Sequence, residues 1–524
     1  MSRKSSEGSA QTPRMAEILR RDDVLMYRGR LALIMAQDSA TSGEQVVPLT
    51  PHDAMVADLL AIRRALDTHG IEYLLVRGND LRPVLAIDDS LREELQRALT
   101  AEFTSEPFYA RSVDTKKSTV LLAEGLLASS ATTRIMRLFR PRLEPHGGLF
   151  FGAAWGVQIE LWTFSATQID LPLENSLTRR SIDRADASHS SVELYGQHWP
   201  TIENMFIDHV FDIRFDIDLV FSWVDGSGAE YQASRRALEA DAVLGEGDEH
   251  ESRFRHVDEL KYALRSVHLF APWIRRIFIA TDSPAPQWLA EHPQVTLVRS
   301  HEHFADTTVL PTHNSMAVES QLHHIDGLSE HFLYSNDDMF FGRPVSPDLF
   351  FTPGGISRFM LSPNRIGLGE SETTRSGFEN SARVNRRLLW DRFGAFTTHH
   401  LEHSAAPLRR SVLAELEQEF APEFASTAAS TFRAADNISV TNSLYHYYAL
   451  LSGRAVMHKD GKGVYVDTAN TAGLAQLERI LAQRNADFLC LNDGSYGDAD
   501  PALRRSRVTD FLERYFPFKA PWER

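Results

Sequence analysis

Phe332-Leu333-Tyr334-Ser335-Asn336-Asp337-Asp338-Met339-Phe340-Phe341 is an apolar run broken by three adjacent polar side chains. A buried strand has no use for two neighbouring carboxylates, because unpaired buried charge costs several kcal/mol or more. The run therefore reads as a strand that delivers Asp337 and Asp338 at its carboxyl end, where open α/β sheets bind ligands. Two carboxyl groups beside an amide form a hard, oxygen-rich donor set. Such a set suits Mg²⁺ or Mn²⁺ held together with phosphate oxygens. On composition alone the same residues read equally well as a solvated Asn-Asp turn between two strands.

The rest of the chain has an ordinary globular balance. Its 524 residues are 43% hydrophobic and 24% charged, and that length suits roughly two to four domains. A formal net charge of −16 excludes a nucleic-acid binder that relies on bulk electrostatics. The single cysteine, Cys490, excludes an intramolecular disulfide and a cysteine-based zinc cluster. No stretch approaches the roughly 18 consecutive apolar residues of a spanning helix. Residues 1–14 lack the apolar core of a signal peptide. A cytoplasmic protein with no integral membrane segment is expected.

Outward from the aspartates, strands and helices alternate. Residues 218–223 read as a strand closed by the tight turn Val224-Asp225-Gly226-Ser227-Gly228, followed by a polar, acidic insertion over 227–252. Val257, Leu260, Leu264 and Val267 mark a helix that Pro272 stops. Short strands at 277–280 and 295–298, a helix at 316–325 and the strand at 331–335 follow. This alternation predicts an α/β fold with a Rossmann-like, mostly parallel sheet. Helices are expected at 407–420, 444–451 and 509–515.

Towards the amino terminus, residues 1–14 are expected to be disordered, 37–45 a loop, and 15–35 helical. Met55, Leu59, Ile62 and Leu66 recur at helical spacing and open a small α+β unit over 52–175, for packing or for binding an acceptor. Residues 176–200 read as a connection. The expected division is a tail and helix over 1–51, an α+β domain plus linker over 52–200, and a larger α/β domain over 201–524.

Other residues carry chemistry only in context. Asp218 and the Trp223–Gly226 turn form a strand-turn unit of a common kind, although Gly226 permits close backbone approach. His403 ends the run His399-His400-Leu401-Glu402-His403, which reads as a polar loop, a metal site or a proton carrier. Arg433 either clamps phosphate oxygens or pairs with Asp436. Glu319 and His323 lie four apart, on one face of a helix.

Four blocks resemble the Stealth family of sugar-phosphate transferases. The first runs from Asp216 to Ser227. The second begins at Arg253 and includes Arg255 to Ser266, Leu310-Pro311-Thr312-His313-Asn314-Ser315, Glu319-Ser320 and the Asn-Asp-Asp stretch. The third holds His403, Arg433 and Asp436, and the fourth is Cys490-Leu491-Asn492-Asp493-Gly494. Together they span about 300 residues in the family's order. The first block departs from the pattern, because Gly228-Ala229 stand where the family usually carries another acid.

The resemblance, closest to the bacterial exopolysaccharide type, implies a glycosyltransferase-A-like catalytic domain. It implies transfer of a hexose 1-phosphate from a UDP-sugar to a glycan hydroxyl, with release of UMP. Capsule or exopolysaccharide synthesis is the expected setting, with peripheral attachment to a polysaccharide export machine. In such an enzyme His403, Arg433, Asp338 and Asp218 are catalytic. Trp223, Asp225, Gly226, Arg265, Asn314, Glu319, His323 and Asp436 bind substrate. Asp337, Asp338, Asp493 and Asn492 hold Mg²⁺ or Mn²⁺. Two other readings compete: a metal-dependent glycosyltransferase that releases UDP, and a non-catalytic nucleotide-sugar binder.

Overall fold

The computed structural model describes residues 12–35, 49–115, 118–125, 127, 132–175, 177–239, 245–246, 257–494 and 497–524. Residues 1–11 of the polar tail, the loop expected at 37–45, Arg253 to His256 and much of the acidic insertion lie outside them. The chain divides into two compact units, Met1–His209 and Val210–Arg524.

The first unit is built on an eight-stranded sheet. Its central strand, Val157–Phe164, pairs in parallel with Pro83–Asp88 and antiparallel with Ile135–Phe139. Helix Pro51–Thr68 lays Leu59, Ile62 and Leu66 into the core, and Thr50 and Asp53 cap it reciprocally. Two expectations are corrected. Residues 15–35 are not one helix but a short helix, Pro13–Ile18, followed by the hairpin Val24–Tyr27 and Arg30–Ile34. The hairpin forms because Arg28 and Gly29 both take positive φ, as a two-residue turn requires. Residues 176–200 are not a bare connection either. His189–Leu194 and Gln197–Ile202 pair as a hairpin whose Trp199 is fully buried in the core.

The second unit holds β1 (Ile217–Ser222), α1 (Ala229–Glu239), α2 (Glu259–Phe270), β2 (Ile277–Ala280), β3 (Val295–Val298), α3 (Ser315–Gln321), β4 (His331–Asn336) and β5 (Met339–Phe341). After these come α4 (Gly377–Phe393), β6 (Ala406–Arg409), α5 (Arg410–Glu419), α6 (Tyr445–Leu451), β7 (Gly463–Asp467), β8 (Phe488–Asn492) and α7 (Pro501–Tyr515). The central sheet has the order β3-β2-β1-β4-β6. Its first four strands are parallel, and β6 runs antiparallel to β4. This is a Rossmann-like α/β sheet. Leu219, Val220 and Phe221 of β1 are all buried, as expected of a parallel strand covered on both faces. Each such side chain contributes about 1.5–3 kcal/mol.

The stretch expected as a helix at 407–420 instead begins as strand β6 and turns helical only at Arg410. Pairing of Leu408 with Phe332 prevails there over local preference. A second sheet, β5-β8-β7, sits beyond the aspartates. Met339, Phe340 and Phe341 pair antiparallel with Cys490, Leu489 and Phe488. The Asp337-Asp338 turn is therefore the hinge between two sheets.

Candidate active site

Ser222 and Asn336 face each other at the carboxyl ends of β1 and β4. Ser222 Oγ lies 2.7 Å from the Tyr334 hydroxyl, which donates to Asn336 Oδ1 at 2.9 Å. Just beyond β1, Trp223 N donates to Ala280 O, and Asp225 N donates to Ser283 Oγ at 2.8 Å. The Trp223–Gly226 turn is thus fixed at the same end of the sheet as the aspartates.

The β8 strand brings Asn492 and Asp493 to that end. Leu491 N donates to Asp338 O at 3.0 Å, and Cys490 Sγ lies 3.7 Å from Asp338 Oδ2. Asp493 Oδ1 is 3.1 Å from Arg504 Nε, and Arg504 Nη2 is 4.0 Å from Glu259 Oε1. Glu259 is buried at the start of α2. Burial, then Asp338, then Glu259 raise the Asp337 carboxyl well above the usual range. Burial and then Glu259 push Asp338 up to about 6. The Asp-Asp turn is half-buried.

Asp338 Oδ1 is buried with no hydrogen-bond partner. An orphaned carboxylate oxygen among acidic groups, tempered by one guanidinium, fits a hard divalent cation. Among the described residues the one group of three acidic or histidine side chains already spaced as metal ligands lies elsewhere, at His323, His324 and Glu417. Its Glu417 Oε2 already lies 2.8 Å from His323 Nε2 and 3.1 Å from His324 Nε2. Arg410 donates to His323 O beside it, and that positive charge disfavours a second cation.

A second polar network adjoins the strand end. Glu319 on α3 is buried and accepts from Thr441 Oγ1 and Asn442 Nδ2. Burial raises its carboxyl above the usual range, against lowering by Thr441 and by the Arg433 charge. Arg433 Nη2 donates to Ser315 Oγ at 3.0 Å. So Glu319, Arg433 and Tyr334 meet beside Asn336.

His403 follows strand His399–Leu401 and packs on Tyr465 of β7, with ring centroids 5.1 Å apart. Tyr465 pairs with Cys490, whose thiol neighbours Asp338. His403 thus packs on the strand that pairs with β8 beside Cys490. The residue keeps an open face to solvent, yet desolvation of the ring, then His400, hold its pKa below the usual 6.5.

Other expected site residues lie elsewhere. Asp218 sits four residues before Ser222, about 13 Å back along β1. It is fully buried, receives Arg275 Nε at 2.9 Å and Nη2 at 2.6 Å, and accepts from Ser329 N. The expectation of a catalytic Asp218 is corrected: the residue anchors the amino end of the sheet. Arg265 lies almost two turns into α2 and forks onto Glu523 at 2.8 and 2.7 Å, so it holds the carboxy-terminal tail and not substrate. His323 and Glu319 do not lie on one helix, because α3 ends at Gln321 and a tighter 3-10 turn follows, and His323 pairs with Glu417 instead. Asn314 caps α3, and its amide is engaged by Ser430 O and Asn437 Oδ1. Asp436 is exposed and accepts from Ser426. Glu259 and Arg504 were missed: each is an ordinary charged residue at a helix start until the fold buries it.

Four conserved regions of Stealth proteins match the chain in order. Conserved region 1 covers residues 215–241, region 2 covers 253–359, region 3 covers 402–450 and region 4 covers 478–524. The chain is 56% identical over 477 residues to exopolysaccharide phosphotransferase CpsY of Mycobacterium tuberculosis, covering 91% of this chain and 90% of that one. The chain belongs to the Stealth family. Relatives in Mycobacterium leprae and Nocardia farcinica, both called exopolysaccharide phosphotransferases, are 53% and 51% identical. They cover 97% and 93% of this chain, and 94% and 90% of their own lengths. A galactosyltransferase LgtC structure aligns with a TM-score of 0.30 and 11% identity over 56% of this chain and 95% of that one, a likeness too slight to carry any argument. At this level of identity the protein is a Stealth phosphotransferase of exopolysaccharide synthesis. All four Stealth regions reach one end of the sheet: Trp223 to Gly226 from the first, Glu259, Asp337 and Asp338 from the second, His403 and Arg433 from the third, Asp493 and Arg504 from the fourth. No helix among the described residues is long and apolar enough to cross a membrane.

Proposed function

We propose that the enzyme transfers a hexose 1-phosphate from a UDP-sugar to a glycan hydroxyl. The new bond joins the acceptor oxygen to the sugar-bearing phosphorus, the bond from that phosphorus to the UMP oxygen breaks, and the acceptor proton leaves. The observation that supports this reading best is the pairing of Met339 with Cys490, which brings the Asn492-Asp493 segment from far along the chain to the end of the sheet that carries Asp337 and Asp338, in a chain of this family.

Phosphoryl transfer is mostly positioning and charge stabilisation. Asp337, Asp338, Asn492 and Asp493 would hold Mg²⁺ or Mn²⁺, which neutralises phosphate charge when bound. His403, held below its usual pKa, is neutral and able to take the acceptor proton. Arg433, fixed by Ser315, presents a planar fork to phosphate oxygens. Glu319 holds the Thr441–Asn442 segment beside it, and the Trp223–Gly226 turn seats the uridine diphosphate. We further propose a cytoplasmic location, with peripheral association to an export machine.

The test is nucleotide release from a panel of UDP-sugars with Mg²⁺ and a glycan acceptor, resolved by anion-exchange chromatography. UMP together with a phosphodiester product is expected, lost with EDTA and in Asp338→Asn. Release of UDP would mean a glycosyltransferase. Donor binding without release by any acceptor would mean a silent binder.

A further inference from the structure

Arg504 has no assigned part in the reaction, yet it is 4% exposed at the centre of the acidic cluster. Its Nε lies 3.1 Å from Asp493 Oδ1 and donates to Thr468 Oγ1 at 2.9 Å, while its Nη2 lies 4.0 Å from Glu259 Oε1. These three partners come from different places: the first residue of α2, the loop after β7 and the loop after β8. Arg504 itself stands in the first turn of α7, which Asp500 caps through Ala502 N and Leu503 N. Thr468 is also tied down, since its N and Oγ1 both donate to Asn492 O at 2.8 Å.

We infer that Arg504 is a positioning residue that holds Asp493 and Glu259 in place around the Asp337-Asp338 turn, so that the carboxylates converge before a divalent cation arrives. The inference rests on the metal reading above. Four carboxylates left to themselves repel one another and splay. The Arg504 guanidinium, held by the Thr468 hydroxyl, stands between two of them, 3.1 Å from Asp493 and 4.0 Å from Glu259, while Asp338 Oδ1 is left unengaged. A lysine has one point charge and cannot face both in this way.

Two accounts of Arg504 predict opposite signs. If it were only a nearby positive charge, removing it would make the site more negative and tighten cation binding. If it positions ligands, removing it weakens binding in spite of the added negative charge, and loss of such a support typically costs about 10–100-fold in metal affinity.

The experiment is Mn²⁺ binding to the full chain by electron paramagnetic resonance, for wild type, Arg504→Met, Arg504→Lys and Thr468→Val, with folding checked by circular dichroism and thermal melting. Arg504→Met is expected to bind Mn²⁺ at least about tenfold more weakly, with Arg504→Lys recovering part of the loss and Thr468→Val weakened by a smaller factor. Binding by Arg504→Met as tight as wild type, or tighter, overturns the inference. Should Arg504→Met fail to fold, unchanged affinity in Thr468→Val overturns it instead. Wild-type protein that binds no Mn²⁺ overturns the metal reading and this inference with it, whereas normal wild-type binding with unaffected variants removes only the role of Arg504.

Discussion

Cys490 stands opposite Met339 in the β5–β8 pair, and its thiol lies 3.7 Å from Asp338 Oδ2. This single pairing joins the fourth Stealth region to the second and sets the carboxy-terminal aspartate beside the Asp-Asp turn. It also gives the one thiol an apolar, acid-flanked setting. Burial, then Asp338, raise Cys490 well above the usual thiol range. Cys490 is therefore expected to resist a disulfide reagent such as DTNB in the folded protein and to react fully in guanidinium. Rapid native-state labelling would show that the β5–β8 pair opens.

Asp218 is a stability residue on this geometry. Replacing it with asparagine leaves Arg275 without its charge partner and Ser329 N with a poorer acceptor. Breaking one side of a buried pair costs about 3–5 kcal/mol, and the open face of Arg275 places the loss near the lower figure. Denaturant unfolding of Asp218→Asn should show this loss while UDP-sugar affinity of the folded protein stays close to wild type. Unchanged stability with abolished transfer would restore Asp218 to the chemistry.

His403 sets an expectation for pH. Because its pKa lies below 6.5, the neutral ring persists into mildly acidic solution, and the acidic limb of kcat/KM should fall below pH 6.5. His400 contributes to that lowering, so His400→Ala should move the limb upward. His403→Gln should abolish transfer with the fold intact. A limb that ignores both substitutions would assign the proton to another group.

Glu417 links acid to stability. Burial pushes its carboxyl up, but hydrogen bonds from His323 and His324 prevail and hold it at about 2. A depressed carboxylate contributes stability that is full above 4.5 and is lost as pH falls through 4.5 towards 2. His323, lowered chiefly by burial, acts in the same direction from 6.5 downward. Glu417→Gln should lower stability at neutral pH and flatten the acid limb of the melting temperature. A limb as steep as wild type would place the acid sensitivity elsewhere.

The central sheet was legible because parallel strands buried on both faces must be continuous apolar runs, and β1, β2 and β4 are such runs. The strand-end aspartates were legible for the complementary reason, that no buried strand interior tolerates them. Residues whose meaning depends on a distant partner were not legible. Nothing local to Asp218 announces Arg275, and nothing local to Arg265 announces Glu523. The helical spacing of Glu319 and His323 misled, because the helix stops two residues short of the histidine.

The sequence alone therefore determined the α/β class, the family and the carboxylate turn, since these follow from local pattern and from ordered motifs. Only the tertiary structure decided which charged groups share the site. Strand pairing brings Cys490, and with it Asp493, to Asp338 across about 150 residues, and packing buries Glu259 and Arg504 among them. Charge interactions reach a few ångströms in space, a distance that spacing along the chain does not encode.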